Sequence, residues 1–384
     1  MKKLKVNIVV GGVFHAIILA ERLLKLGIDA VIYTSTPKFK FKGKINPRRI
    51  VYVPKLFQLF RKLTKKNSPR WTKYLDSLFF DLTTSVIMRR CDVLHGFSGN
   101  SLICGKKTKK KGGLYFLDRA CPHCLYQNSI LVNEAADLNI KFHSSNRNTV
   151  RKSLKEYEIS DLILVPSEYS YKSFIEQGID EKKLYLAPLE ANIKPCGGKK
   201  PEKKNNIFTV GIAGGSLLRK GFIYILRAWD MLSLSDARLL VRTDRHKLMA
   251  LKEIREIVGR NKNIVFLGYM DDIKDFYRQC DIFCLSSIDE GYGMVVPEAM
   301  ANFLPVIATD HVGSSSLIKD NFNGFVIPVK DHAKLAEKIM YFYKNSKEIE
   351  RMGSNAYKAY LNYLSSEDSY RARIHKLYIT IQKS

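Results

Sequence analysis

One pattern occurs twice in this chain and limits what it can fold into. Lys5–Val10 is a β-type run, Gly11-Gly12 a tight turn, and Phe14–Leu26 an amphipathic stretch ended by Gly27. Phe208–Ala213, Gly214-Gly215 and Phe222–Met231 repeat that order. An apolar strand feeding a glycine turn and then a helical period opens a parallel βαβ arrangement, with helices covering both faces of the sheet. Further strands are expected at Ala30–Tyr33, Val51–Val53, Val93–His95, Tyr115–Leu117 and Leu162–Val165, and after the repeat at Ala237–Val241, Ile264–Leu267, Ile282–Leu285 and Val306–Ala308.

The expected fold class is α/β, with two doubly wound, Rossmann-like domains facing a central cleft. Such sheets bind ligands outside the carboxyl ends of their strands, so the cleft is the expected site. Pro188, Pro195, Gly197, Gly198 and Pro201, among Lys199, Lys200, Lys203 and Lys204, form an aperiodic polar stretch between the halves. The domains are therefore placed at 1–190 and 207–365, with a linker at 191–206. The remaining 366–384 reads as a helix, expected to cross back onto the first domain. A chain of 384 residues suits two cores better than one. The turn Gly11-Gly12-Val13-Phe14-His15-Ala16 lacks the G-x-G-x-x-G spacing, which argues against NAD.

The chain carries 64 Lys and Arg against 37 Asp and Glu, a formal net charge of +27. That demands an anionic partner. From Lys38 to Lys73 there are 13 basic and no acidic residues. Within it Leu56, Leu59, Phe60 and Leu63 recur at helical spacing beside Lys55, Arg61, Lys62, Lys65 and Lys66, with Trp71 and Tyr74 just beyond. Two readings stay open: residues 38–75 lie on an anionic membrane surface, or the apolar face packs on its own domain while the lysines are solvated. No nucleic-acid module is visible, so no nucleic acid is expected.

No apolar run approaches the ~20 residues of a membrane span. Asn7, Gly11, Gly12 and His15 interrupt the apolar start, so strand, turn and helix explain it better than a secretory leader. Seven scattered cysteines fit a reducing compartment. The expected location is cytoplasmic, on the inner face of the cytoplasmic membrane if residues 38–75 bind it. Cys121-Pro122-His123-Cys124 has the spacing of a thiol oxidoreductase site, but its neighbourhood is not a compact thioredoxin-like module. Zinc would need a second close pair of ligands, so no metal is expected.

The richest segment is Asp289-Glu290-Gly291-Tyr292-Gly293-Met294-Val295-Val296-Pro297-Glu298-Ala299-Met300. It reads as the loop after a strand and the first turn of a helix. Its glycines let backbone N–H groups converge on an anion, while Glu290 and Glu298 can accept hydrogen bonds from hydroxyls. Hydroxyls on both sides of a diphosphate describe a nucleotide sugar. Either glutamate alone also suits a solvated turn or a helix dipole. At the second Gly-Gly turn, Gly215-Ser216-Leu217-Leu218-Arg219-Lys220-Gly221 sets two cations before a helix, as a phosphate requires.

These stretches, with Pro305-Val306-Ile307-Ala308-Thr309-Asp310, Asn323-Gly324-Phe325-Val326-Ile327-Pro328 and, in the first half, Asp161-Leu162-Ile163-Leu164-Val165-Pro166-Ser167-Glu168 and Lys172-Ser173-Phe174-Ile175-Glu176-Gln177-Gly178, resemble the retaining glycosyltransferases of family four. The similarity spans roughly residues 90 to 345. It implies the GT-B fold, with 1–190 as the acceptor-side domain and 207–365 as the domain that binds a nucleoside-diphosphate sugar donor, and no cofactor or metal. It also implies that Glu298 binds the donor ribose and Glu290 the transferred sugar, while Gly291, Tyr292, Gly293, Met294, Val295 and Val296 offer backbone to sugar and phosphate. Gly215 and Ser216 open the donor turn, Arg219 and Lys220 neutralise the diphosphate, and Gly11 and Gly12 close against it from the first domain. His123, in Asp118-Arg119-Ala120-Cys121-Pro122-His123, matches a histidine near the reacting sugar. The chain departs from the family at Ala187-Pro188-Leu189-Glu190-Ala191-Asn192-Ile193, where a Pro-Asn-Gly-Val-Asp-like turn is common.

The expected function is thus a metal-independent transferase, hexosyltransferase in type, moving a sugar with retention to an acceptor hydroxyl. Surface-glycan or lipid-linked saccharide synthesis is the expected setting, with a saccharide or lipid-linked acceptor as partner. A nucleotide-sugar epimerase of the same fold is the alternative, and a thiol–disulfide oxidoreductase through Cys121 and Cys124 a more distant one.

Overall fold

The computed structural model describes residues 3–41, 43–55, 70–142, 144–191, 193–199, 202–203, 205–268, 270 and 272–383. The apolar positions Leu56, Leu59, Phe60 and Leu63, and with them most of the amphipathic reading of 38–75, lie outside the described residues, as do parts of the linker.

Among the described residues the first half forms a seven-stranded sheet of β1 (Lys5–Val10), β2 (Asp29–Thr34), β3 (Ile50–Tyr52), β4 (Val93–Phe97), β5 (Leu114–Asp118), β6 (Leu162–Val165) and β7 (Leu184–Leu186), in the order β3-β2-β1-β4-β5-β6-β7. The second half forms a six-stranded sheet of β8 (Phe208–Ala213), β9 (Ala237–Arg242), β10 (Ile264–Leu267), β11 (Ile282–Leu285), β12 (Val306–Thr309) and β13 (Gly324–Ile327), ordered β10-β9-β8-β11-β12-β13. Every pairing is parallel, with Ile8 beside His95 at the centre of the first sheet and Val210 beside Ile282 in the second. Val6, Ile8, Val9 and Val10 are wholly buried, as are Ile282, Phe283, Cys284 and Leu285. Helices on both faces leave these central strands no polar side, which explains the continuous apolar run of β11; Asn7, within β1, is buried too and donates through Nδ2 to Arg89 O at 2.8 Å. The order reverses between β1 and β4, and again between β8 and β11. A crevice for ligands opens at such a point.

The strands β7 and β13 were not expected from the sequence. The expected helix at 14–26 runs from Ala16 to Lys25, and the final helix covers Tyr370–Lys383. Tyr370, Ile374 and Tyr378 of that helix are buried in the same apolar cluster as Val6, Ile8 and Leu19 of the first domain. Helix Ser346–Ser365 holds the junction: Tyr360 Oη accepts from Ala191 N–H at 2.9 Å, and Tyr363 Oη donates to Pro188 O at 2.7 Å. Glu190, where the chain departs from the family turn, is buried and bonded to the crossing helix through Arg371 Nη1 at 2.6 Å.

The domains touch along helix Cys124–Asp137, whose Ala135 packs into the second-domain core. Glu134 on this helix is fully buried; Tyr224 Oη donates to it at 2.8 Å and Lys330 Nζ pairs with it at 2.6 Å. An ionised carboxylate tolerates that depth only when paired and hydrogen-bonded. No described helix is long and apolar enough to cross a membrane.

Candidate active site

Two loops meet at the crevice of the second sheet, one after β8 and one after β11. The first carries Gly215, Ser216, Arg219 and Lys220. Gly214 lacks a side chain where the Lys220 stem passes: a Cβ there would lie 2.8 Å from Lys220 Cγ. Gly221 ends the turn at φ +57, and a Cβ on it would come within 2.0 Å of Ser286 O. Only glycine combines that φ with that approach. The turn thus aims Lys220 at the second loop, where Nζ lies 2.6 Å from Glu290 Oε2 and Arg219 Nη1 lies 3.1 Å from the same oxygen. Burial would raise the Glu290 pKa, but the Lys220 and Arg219 charges outweigh it and hold the carboxyl below its ordinary value. The Glu290 backbone is fixed as well, donating to His311 O at 3.0 Å and accepting from Gly313 N–H at 2.9 Å.

The neighbouring residues of that loop bind the first domain. Asp289 is fully buried and accepts from Tyr169 Oη at 3.0 Å and from Gln127 Nε2. Gly291 O accepts from Ser167 Oγ at 2.6 Å and from Ser170 Oγ at 3.2 Å. A Cβ on Gly291 would sit 2.5 Å from Ala120 O, so the two backbones approach as only a glycine allows. The Tyr292 and Met294 side chains reach across into the first-domain cluster beside Val13 and Ala120. The segment from Gly291 to Met294 is therefore the seam between the domains.

Helix Val295–Met300 follows, carrying Val296 and, in its first turn, Glu298. Tyr277 Oη donates to Glu298 Oε2 at 2.8 Å, and both residues are buried. A cavity of about 650 Å³ opens beside this helix and the Gly214-Gly215 turn, at the carboxyl ends of β8, β9 and β10. Arg242, Thr243, Asp244, Arg245 and His246 supply its far wall, and the Arg245 guanidinium lies 5.4 Å over the Phe266 ring. None of these was named from the sequence. Their only signal was position, directly after a central parallel strand.

In the first domain Gly11 O accepts from Ser35 Oγ at 2.6 Å and from Lys55 Nζ at 3.0 Å, and Gly12 O accepts from Thr34 Oγ1 at 2.9 Å. The His123 ring is packed in the first-domain core, 4.9 Å from the Tyr157 ring and 5.1 Å from Phe174. Its backbone N–H donates to Ser173 Oγ at 2.9 Å. Burial, then the Arg119 charge, lowers its pKa to about 4, so the ring is neutral at pH 7. Sequence reasoning missed a different histidine: His15 Nε2 lies 2.6 Å from Asp118 Oδ2, which His95 Nε2 also meets at 3.3 Å, and His95 Nδ1 meets Tyr378 Oη at 2.9 Å. Cys121 and Cys124 are free thiols. Burial raises the pKa of Cys124, the reverse of what an attacking thiolate needs.

Residues 197–359 match the family model described as glycosyl transferases group 1. The chain is 34% identical over 110 residues to the EpsD protein of Bacillus subtilis, a match covering 29% of each protein. It is 25% identical over 217 residues to the UDP-Gal:alpha-D-GlcNAc-diphosphoundecaprenol alpha-1,3-galactosyltransferase of Escherichia coli, covering 50% of this chain and 54% of that one. These matches thus span about a third to a half of the relatives' length. Among solved structures, sucrose-phosphate synthase from Thermosynechococcus elongatus superposes with a TM-score of 0.73 at 14% identity, over 99% of this chain and 100% of that one. The fold is GT-B, as the resemblance implied.

Proposed function

We propose that this chain, whose residues 197–359 match the family model described as glycosyl transferases group 1, is a glycosyltransferase of that family and moves a sugar, with retention, from a nucleoside diphosphate to an acceptor hydroxyl. The observation that carries this reading is the convergence of Arg219, Lys220 and Glu290 at the crevice of the second sheet. The nucleoside fits the cavity beside β9, with Glu298 accepting from ribose hydroxyls and Tyr277 orienting that carboxylate. The diphosphate takes Arg219 and Lys220 from Glu290, which is then available to hydroxyls of the transferred sugar. Gly215 and Val295 line that cavity, and in this reading Ser216, the backbone of Gly291 to Val296 and the Gly11-Gly12 turn also contact the donor.

In the proposed step the bond from the anomeric carbon to the leaving phosphate oxygen breaks. The acceptor oxygen bonds to the same face of that carbon, and its proton passes to the departing phosphate. Arg219 and Lys220 are aimed where negative charge grows, the most effective use of fixed cations in a water-poor site. They take the part a divalent metal plays elsewhere, so the proposed reaction needs none. The printed name of the Escherichia coli relative combines a UDP-sugar with a diphosphoundecaprenol-linked acceptor; a lipid-linked or surface-glycan acceptor is proposed here too, with the basic 38–75 segment at the membrane face.

A thermal-shift panel of UDP, GDP, ADP and their sugars tests the reading, because a ligand that binds only the folded state stabilises it by mass action. One nucleotide and its sugar should raise Tm, and Lys220→Ala should abolish the rise. No shift with any of them overturns the proposal. Consumption of the sugar nucleotide without an acceptor would move the assignment to an epimerase.

A further inference from the structure

A second cavity, of about 510 Å³, lies in the first domain beside the Gly11-Gly12 turn. The contact is direct: Lys55, in its wall, donates to Gly11 O at 3.0 Å, and Asn100, also in the wall, lies where a Gly11 Cβ would be. Asn100 follows β4, so this cavity occupies the crevice of the first sheet as the nucleoside cavity occupies that of the second.

The wall is cationic. Lys55, Lys73 and Lys152 line it against one carboxylate, Asp76, and the rings of Tyr74 and Phe142 stand among them. Lys152 is fixed in place: it is 5% exposed, its Nζ lies 3.0 Å from the buried Asp81 Oδ2, and it donates to Ser77 Oγ at 3.0 Å. Beneath it Glu156 accepts from Gly99 N–H at 2.6 Å and from Ser101 N–H at 3.1 Å. Two buried carboxylates thus hold an ammonium and the 98–101 loop in a set geometry. A neutral saccharide needs amides, hydroxyls and an aromatic face; three ammonium groups answer to an anion as well.

We propose that this cavity is the acceptor site and that it takes a saccharide bearing a phosphate or diphosphate, with Lys55, Lys73 and Lys152 around the anion and Tyr74 and Phe142 against the sugar ring. This rests on the transfer reading above. A free sugar phosphate and a lipid-linked sugar diphosphate share that chemistry.

Isothermal titration of the full chain, with the donor cavity saturated by the nucleotide that binds tightest, tests it. Glucose 1-phosphate should bind while methyl glucoside does not, and Lys73→Glu, at an exposed position, should weaken binding at least tenfold without changing nucleotide affinity. Lys152→Met should do the same where it folds. Affinity should fall as salt rises. Equal binding of methyl glucoside, loss of binding once nucleotide is present, or indifference to Lys73→Glu overturns the proposal. Undecaprenyl-diphosphate N-acetylglucosamine in detergent distinguishes the sources: tighter, Lys73-dependent binding assigns the lipid-linked acceptor, and equal affinity assigns the free sugar phosphate. If no nucleotide binds but glucose 1-phosphate does, dependent on Lys73, the transfer reading fails and the anion site stands.

Discussion

Lys220 Nζ and Glu290 Oε2, carried by loops that follow different strands, lie 2.6 Å apart with both side chains nearly buried. Arg219 shares the same carboxylate oxygen at 3.1 Å, so Glu290 offsets one of the two positive charges there. A buried pair of this kind contributes little net stability, because desolvation offsets its attraction. In the proposed reaction its value is positional: it holds two cations and an acid that exchange partners when a diphosphate binds.

Removing the cation separates those roles. Lys220→Ala should lower kcat about 10²–10³-fold, equivalent to about 2.7–4 kcal/mol of barrier, measured by steady-state transfer with the nucleotide sugar the thermal-shift panel selects. Glu290→Gln should lower kcat/KM and also alter acid stability. A carboxyl held below its ordinary 4.5 stabilises the fold above that value and loses the contribution as pH falls through its folded value. Unfolding midpoints below pH 4.5 should thus fall less steeply in Glu290→Gln than in the parent. A Lys220→Ala rate within a few-fold of the parent would remove the cation from the mechanism.

His123 predicts the opposite division. With a folded pKa of about 4 against an ordinary 6.5, the unfolded chain binds more protons between those values. Stability therefore falls on acidification from pH 6.5 to 4, by on the order of 2–3 kcal/mol. His123→Leu should flatten that slope. Nδ1 is buried without a hydrogen-bond partner, so the change should be nearly neutral at pH 7.5. The packing also predicts a kcat within threefold of the parent; a hundredfold loss would return the ring to the reacting sugar.

Tyr277 is the test for Glu298. Tyr277→Phe keeps the ring in its pocket and deletes a 2.8 Å hydrogen bond to the carboxylate. Hydrogen bonds to charged groups are worth about 1.5–3 kcal/mol. Donor KM should rise several-fold, with kcat little changed, if Glu298 holds the ribose. A change in kcat alone, read from the same rate curves, would contradict that role.

The last helix is structural to the first domain. Truncation after Ser369 removes the buried Tyr370, Ile374 and Tyr378, each worth about 1.5–3 kcal/mol when fully buried. The truncated chain should unfold at lower denaturant by circular dichroism, with the first domain losing its cooperative transition. Unchanged midpoints would show that the helix merely rests on the surface.

The sequence by itself determined the strands β1 and β8 and the glycine turns after them, because these depend on local period, and it grouped Arg219, Lys220, Glu290 and Glu298 as candidates because together they form a pattern that none of them makes alone. It could not place the His123 ring, whose spacing fits a site or a core; only the tertiary structure sets that ring against Tyr157 and Phe174. Nor could it show Arg242 to His246 as a cavity wall, or join Lys152 to Asp81 and Asn100 to Gly11. Those pairings link residues far apart in the chain. Their distances are set by how helices and parallel strands stack, which no local pattern encodes.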